Sequence, residues 1–180
     1  ILGLVLLFLY LPIVYTIVFS FNSSKSLSVF KGFSLKWYEK MFNSGEIMDA
    51  IFYTIIVAVL TTVISTVVGT ITAIGMSKSK KVIRKSIEQI NDFPIMNPEI
   101  VTAIGLLMFF SAVAIRKGFV TMLLAHIMFC IPYVILSIMP KLRSLDPNLI
   151  DAALDLGATP IQALTKVVVP QITSGIVAGA

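Results

Sequence analysis

The chain has 180 residues, of which 57% are hydrophobic and 13% charged, with a net charge of +5 and a mean hydropathy of +0.97. A soluble domain carries about twice that share of charge, so composition excludes one and places the chain in a bilayer. The positive charge is spread over loops between apolar runs, which reads as membrane orientation rather than nucleic-acid binding. The single cysteine, Cys130, excludes an intrachain disulfide.

Residues 1–24 are uncharged and long enough to cross about 30 Å of hydrocarbon as a helix, with Pro12 as a candidate kink. They lack the basic start and the small-residue cleavage site of a signal peptide. Lys25 to Asp49 reads as a polar loop containing Trp37 and Tyr38. An uncharged span then runs from Ala50 to Ser77, where Gly69 and Gly75 are candidates for close helix packing. Lys78, Lys80, Lys81, Arg84 and Lys85 follow within eight residues and mark the cytoplasmic side, which puts the first loop outside.

A third span is expected from about Ile87 to Ile115, an outer turn at Arg116 and Lys117, and a return from Phe119 to Met139. Lys141 and Arg143 then emerge in the cytoplasm, and a fifth span begins at Val167. The expected fold is all-α, a polytopic transmembrane helix bundle with five spans present in whole or part, forming a single transmembrane domain over 1–180. The ends, at Ile1 and Ala180, lie in apolar sequence, so a fragment truncated at both ends is expected.

The third span carries acids where a plain membrane helix would not. On one continuous helix Glu88, Asp92 and Glu99 fall within about 40° of one another, with Pro94 and Pro98 interrupting the hydrogen-bond ladder beside them. Ionisable groups at membrane depth cost roughly 2.5–3.5 kcal/mol each on insertion scales and usually face a bundle interior or a water-filled path. Glu99, the deepest, is the strongest candidate for a path residue. For Glu88 and Asp92 a second reading stands beside this one, in which they are interfacial and neutralised by Lys81, Arg84 and Lys85.

The long polar interruption from Asp146 to Pro170 reads as two short helices joined at Gly157. Asp146 is a candidate N-cap with Pro147 at the first helical position, and Gly157 is placed to end the first helix in a left-handed turn. Thr159, Pro160 and Gln162 form a capping box for the second. Asp151-Ala152-Ala153, then Gly157, then Val167-x-Val169-Pro170 resembles the EAA signature of ABC importer permeases, with Asp in place of Glu and valine in place of larger aliphatics. The resemblance implies a type I importer permease fold in a bacterial cytoplasmic membrane. It also implies that residues 141–166 are a coupling loop, in which Asp151, Ala152, Ala153, Gly157 and Pro170 serve docking on a separate ATPase. The partners implied are a second permease subunit, a dimer of ATP-binding subunits, an extracytoplasmic substrate-binding protein and membrane lipid, with no nucleic acid.

Phe21-Asn22-Ser23-Ser24, Gly32-Phe33, Lys36-Trp37-Tyr38, Pro98-Glu99-Ile100-Val101 and the run from His126 to Pro132 narrow the resemblance to the spermidine/putrescine permeases. That likeness implies a polyamine cargo, with Trp37 and Glu99 on the substrate path and Asp92 and Glu88 beside it. Flexible polycations are best held by carboxylates and aromatic faces, the latter worth roughly 0.5–2 kcal/mol each. Trp37 equally suits an interfacial belt. A permease for ferric iron, an oxyanion or a sugar shares the coupling loop, and a scaffold or passive channel without an ATPase is the alternative from another class. His126 and Cys130, four apart, lack a third polar residue to make a thiol enzyme, so His126 is expected to hydrogen-bond across the bundle or line the path. No Gly-x-x-x-x-Gly-Lys-Ser/Thr segment occurs, so no cofactor is expected on this chain, and ATP and magnesium belong to the partner ATPase.

Overall fold

Helices account for the regular structure of residues 2–180, the part described by this computed structural model, apart from one antiparallel bridge between Asn22 and Phe33. In chain order they are α1 (Leu2–Ser20), α2 (Lys36–Phe42), α3 (Gly45–Lys78), α4 (Lys81–Met96), α5 (Glu99–Ala112), α6 (Phe119–Arg143), α7 (Leu149–Asp155), α8 (Pro160–Ala163) and α9 (Val169–Gly179), with a π-helical turn at Leu164–Val168 before α9. Among the described residues α1, α3, α6 and the run Pro160–Gly179 are each long and apolar enough to cross a membrane, and the bent pair α4–α5 makes up to five spans. The chain is therefore an all-α, multi-pass membrane protein. It divides into two units, Ile1–Ile55 and Ile56–Ala180, with the division inside α3.

In the first unit α1 is apolar on every side and buries none of its residues. Pro12 lies within it without ending it, and the helix stops at Ser20 rather than Ser24. The segment expected to be a plain polar loop is folded: it carries α2, and α3 already starts at Gly45 rather than Ala50. At 34 residues, α3 is about 51 Å long and exceeds the roughly 30 Å hydrocarbon core.

The second unit is built on α6. Its Val134, Ile135, Ile138 and Met139 form a buried cluster with Ala73 and Met76 of α3 and Ile172 of α9. Lipid offers helices no hydrophobic incentive to associate, so close backbone approach has to hold them together. Val134 is gripped from two sides. A Cβ added at Gly69 would lie 2.7 Å from its Cγ1, and one added at Gly179 would lie 3.0 Å from its Cα. Gly175 sits as tightly, where a Cβ would meet the Ser137 carbonyl at 3.1 Å. Gly75, the other expected packing glycine, has nothing within 4 Å.

The third span departs most from expectation. Residues 81–112 form two helices, α4 and α5, bent by 107° across a short break. Pro98 is the cause: the residue before a proline is driven out of the helical region, and Asn97 has φ −92° and ψ 147°. Pro94 also withholds one ladder bond, having no N–H, but it is buried within α4 and the helix continues past it to Met96. The two short helices joined at Gly157 form a hairpin, and its second half also differs. Its helix starts the fifth span at Pro160 rather than Val167, running through the π-turn into α9. Val169 N–H bonds the Leu164 carbonyl five residues back, and Pro170, which has no N–H to give, follows directly.

Candidate functional site

Four residues that carry the hairpin's shape act through short-range bonds. Asp146 is not the N-cap expected: α7 begins at Leu149 with Asn148 at the cap position and no side-chain cap bond, so Pro147 lies outside the helix, and Asp146 Oδ1 instead accepts from Asn148 N–H at 2.9 Å in a turn two residues long. At the other end Gly157 has φ +85°. Its N–H reaches the Leu154 carbonyl at 2.9 Å while Ala158 N–H reaches that of Ala153 at 3.0 Å, the paired bonds of a Schellman ending. The capping box forms as expected: Thr159 N–H donates to Gln162 Oε1 at 2.9 Å, and Gln162 N–H donates to Thr159 Oγ1 at 3.3 Å.

Ala163 and Val168 are buried and seat the hairpin, whereas Asp151, Ala152, Gly157 and Pro170 are exposed and Ala153 is half-buried. The exposed residues are mixed, Asp151, Asp155 and Gln162 among them, with Leu156, beside Gly157, 90% exposed and Ile161 74% exposed.

The expected acidic stripe does not exist as one face, because Glu99 lies on α5 beyond the break while Glu88 and Asp92 lie on α4. Glu88 Oε1 accepts from Arg143 Nη2 at 3.0 Å and lies 3.9 Å from Arg84 Nε. This favours the neutralised reading for Glu88, though the main partner is Arg143 of α6, which the sequence reading did not consider. Glu88, Asn91 and Asp92 line a cavity of about 300 Å³ with Met139, Pro140 and Arg143. Glu99 stands apart and exposed, in the first turn of α5.

At the break, α4 ends without a basic residue in its last turn, so its carbonyl end carries the helix's partial negative charge uncompensated. The Phe93 carbonyl there accepts from Asn97 Nδ2 at 2.7 Å. His126 does not reach across the bundle: its Nδ1–H donates to the Met122 carbonyl of its own helix at 2.8 Å, and the ring is exposed.

Trp37 belongs to the first unit, where Asn22, named above only as part of a motif and given no structural role, organises the segment after α1. Asn22 is fully buried. Its Nδ2 donates to the carbonyls of Ser26 and Val29, both at 2.8 Å, and its Oδ1 accepts from the N–H groups of Lys31 at 2.9 Å and Ser24 at 3.2 Å. The Asn22 carbonyl in turn accepts the Trp37 indole N–H at 2.8 Å. Ser20 Oγ and the Tyr38 hydroxyl share a hydrogen bond at 2.7 Å, and Phe21 stacks on Phe33 and Tyr38 with centroids 5.3 and 5.2 Å away. Lys36 Nζ lies 4.9 Å from the centre of the Trp37 ring, so the chain's own ammonium already occupies one aromatic face.

Asn22→Ala is expected to strip hydrogen-exchange protection from the Lys31 and Ser24 amides. Removing the amide leaves its backbone partners unsatisfied, at about 1–3 kcal/mol for each group that stays buried. Unchanged exchange at both amides would show that the loop holds without it.

Long apolar helices, a broken span and a capped hairpin on the basic side together define a multi-pass membrane protein of the transport kind. The chain belongs to the binding-protein-dependent transport system inner membrane component family, whose pattern it matches over residues 65–180. It is 34% identical over 172 residues to the spermidine/putrescine transport system permease protein PotC of Haemophilus influenzae, covering 96% of this chain and 67% of that protein. It is 32% identical to the protein of the same name from Escherichia coli K12, covering 65% of it. With the putrescine transport system permease protein PotI of that strain it shares 33% over 184 residues, covering 64% of it. The chain thus spans about two thirds of the length of these relatives.

Proposed function

We propose that the chain is the polyamine-conducting permease subunit of an ATP-driven importer, and that Glu99 lies on the cation's path. The observation that carries this is the polarity of the α4–α5 break. The Glu99 carboxylate, in the first turn of α5, and the carbonyl end of α4, which has no basic residue in its last turn, lie on either side of the break, and broken helices use freed carbonyls and helix C-termini to hold cations. The Glu99 carboxylate at the same break disfavours an oxyanion by like-charge repulsion. Relatives named for spermidine and putrescine, similar along nearly the whole chain, support the choice of cargo.

In this reading residues 141–166 are the coupling loop. Asp151, Ala152, Ala153, Gly157, Leu156 and Ile161 form the knob that docks on the ATPase, and Pro170 with the π-turn joins that knob to α9. A second permease and an extracytoplasmic binding protein complete the assembly. Asp92, beside the cavity on α4, faces the cytoplasmic end of the same route, whereas Glu88 borders that cavity with its charge already met by Arg143. Trp37 holds the outer loop, so its contribution to cargo is indirect.

Binding-protein-dependent uptake of radiolabelled spermidine and putrescine by the complete transporter tests the reading. Glu99→Gln is expected to lower uptake by roughly tenfold or more at equal membrane abundance, the effect of losing one charge-assisted contact. Equal uptake removes Glu99 from the path, and absence of polyamine uptake in the parent with intact ATPase coupling redirects the assignment to another solute.

A further inference from the structure

Where the basic ends of α3 and α6 meet the start of the hairpin there is a cavity of about 320 Å³. Ile74, Met139, Leu142, Leu149, Ile150 and Val168 give it an apolar wall, while Lys78, Arg84 and Arg143 bring three cations to it against the single carboxylate of Asp146. These cations are not equivalent. Arg143 is committed to Glu88 at 3.0 Å. Arg84 Nε is shielded from solvent without a hydrogen-bond partner, 3.9 Å from a Glu88 oxygen that Arg143 already holds. Among the described residues Lys78 has no ion-pair partner, and the Asp146 carboxylate is turned to the Asn148 N–H. A guanidinium nitrogen shielded from solvent and without a hydrogen bond is costly unless an anion completes it.

We infer that this cavity is a binding site for an anionic phospholipid of the cytoplasmic leaflet, with its phosphate between Lys78 and Arg84 and the first part of an acyl chain along the apolar wall. Two features select a lipid over a free phosphate. The wall is mostly hydrocarbon, which gives a small hydrophilic anion nothing but a desolvation cost. The cavity also opens among helix ends on the side marked by Lys78, Lys80, Lys81 and Lys85, where basic pockets between membrane helices take anionic headgroups. Its volume is at the lower end of the range for ligand sites, about 300–1,000 Å³, enough for a headgroup phosphate and a short length of chain. Because α3, α4, α6 and α7 all contribute to the wall, a bound lipid ties the base of the hairpin to the helix ends. The site stands whether or not the hairpin docks an ATPase.

The test is lipid retention by the complete transporter, purified from bilayers of phosphatidylcholine mixed with phosphatidylglycerol and read by native mass spectrometry. The parent is expected to retain phosphatidylglycerol selectively and to keep it in millimolar inorganic phosphate. Lys78→Gln with Arg84→Gln is expected to lower that retention roughly tenfold or more. Ile150→Trp, which fills the cavity without touching its charge, is expected to do the same, and Lys78→Arg to preserve it.

A parent that retains phosphatidylglycerol no better than phosphatidylcholine overturns the inference, and this comparison holds even if a variant fails to fold. Displacement by inorganic phosphate also overturns it, making the cavity a small-anion site. Undiminished retention in both cavity variants places the lipid elsewhere.

Discussion

Gly69→Leu is expected to remove most of the folded protein from the membrane. A Cβ at this position falls 2.7 Å from Val134 Cγ1 and 2.8 Å from its Cβ. Val134 cannot yield, because it is 1% exposed and Gly179 is packed against its other side. Overpacking a tight core costs about 1–3 kcal/mol, occasionally more, and membrane helices have no hydrophobic incentive to offset it. Detergent-extracted abundance, followed by fluorescence size-exclusion, should fall severalfold. Gly75→Leu is the matched control, since nothing lies within 4 Å of that glycine, and its abundance should be close to the parent's. Exchanging the bulk, with Gly69→Ala and Val134→Gly together, should recover part of the loss. Equal abundance of Gly69→Leu and Gly75→Leu would show that α3 and α6 are not held by this contact.

Gly157→Asp is expected to leave the protein in the membrane and to abolish coupled uptake. The left-handed backbone at φ +85° penalises a side chain by about 1–2 kcal/mol, and aspartate bears this better than most residues. No neighbour lies within 4 Å of the added Cβ, so the hairpin keeps its fold. What changes is the exposed face, where a carboxylate would stand beside Leu156 at the tip proposed to dock. A charge set into the centre of a docking surface costs 2 kcal/mol or more at a hot spot, roughly 30-fold in affinity. Uptake should fall by at least about tenfold, and the ATPase subunit that copurifies with the parent should be lost or should hydrolyse ATP without transport. Normal uptake by the variant would contradict the coupling role. A parent that never copurifies with an ATPase would instead favour a scaffold or passive channel.

The parts of the molecule that were legible in advance depend on neighbours a few residues away. Thr159 and Gln162 cap each other across three positions, and Gly157 and Ala158 end the helix through bonds three and five residues back, respectively. Such motifs carry their own partners, so the residue string contains the whole interaction. The number and type of spans follow from hydropathy for a related reason, since lipid requires every backbone group to be paired within its own helix. The errors share the opposite cause. A common face for Glu88, Asp92 and Glu99 presupposes one unbroken helix, and the prolines at 94 and 98 look alike in sequence. Only the packing of Pro94 inside the second unit and the extended Asn97 before Pro98 separate them.

The structural role of Asn22 is not legible in its motif, because its bonds run to residues two to nine positions ahead with no periodicity to announce them. The Arg143 partner of Glu88 is 55 residues distant, and the two expected packing glycines differ only in what lies opposite each of them. By itself, then, the sequence determined the membrane class, the helical spans and the two capped halves of the hairpin, because these rest on solvent preference and on short-range hydrogen bonds. The tertiary structure decided which glycine touches a neighbour, which proline breaks a span, and which acid is paired and which stands free. Those outcomes depend on what a distant part of the chain brings within a few ångströms.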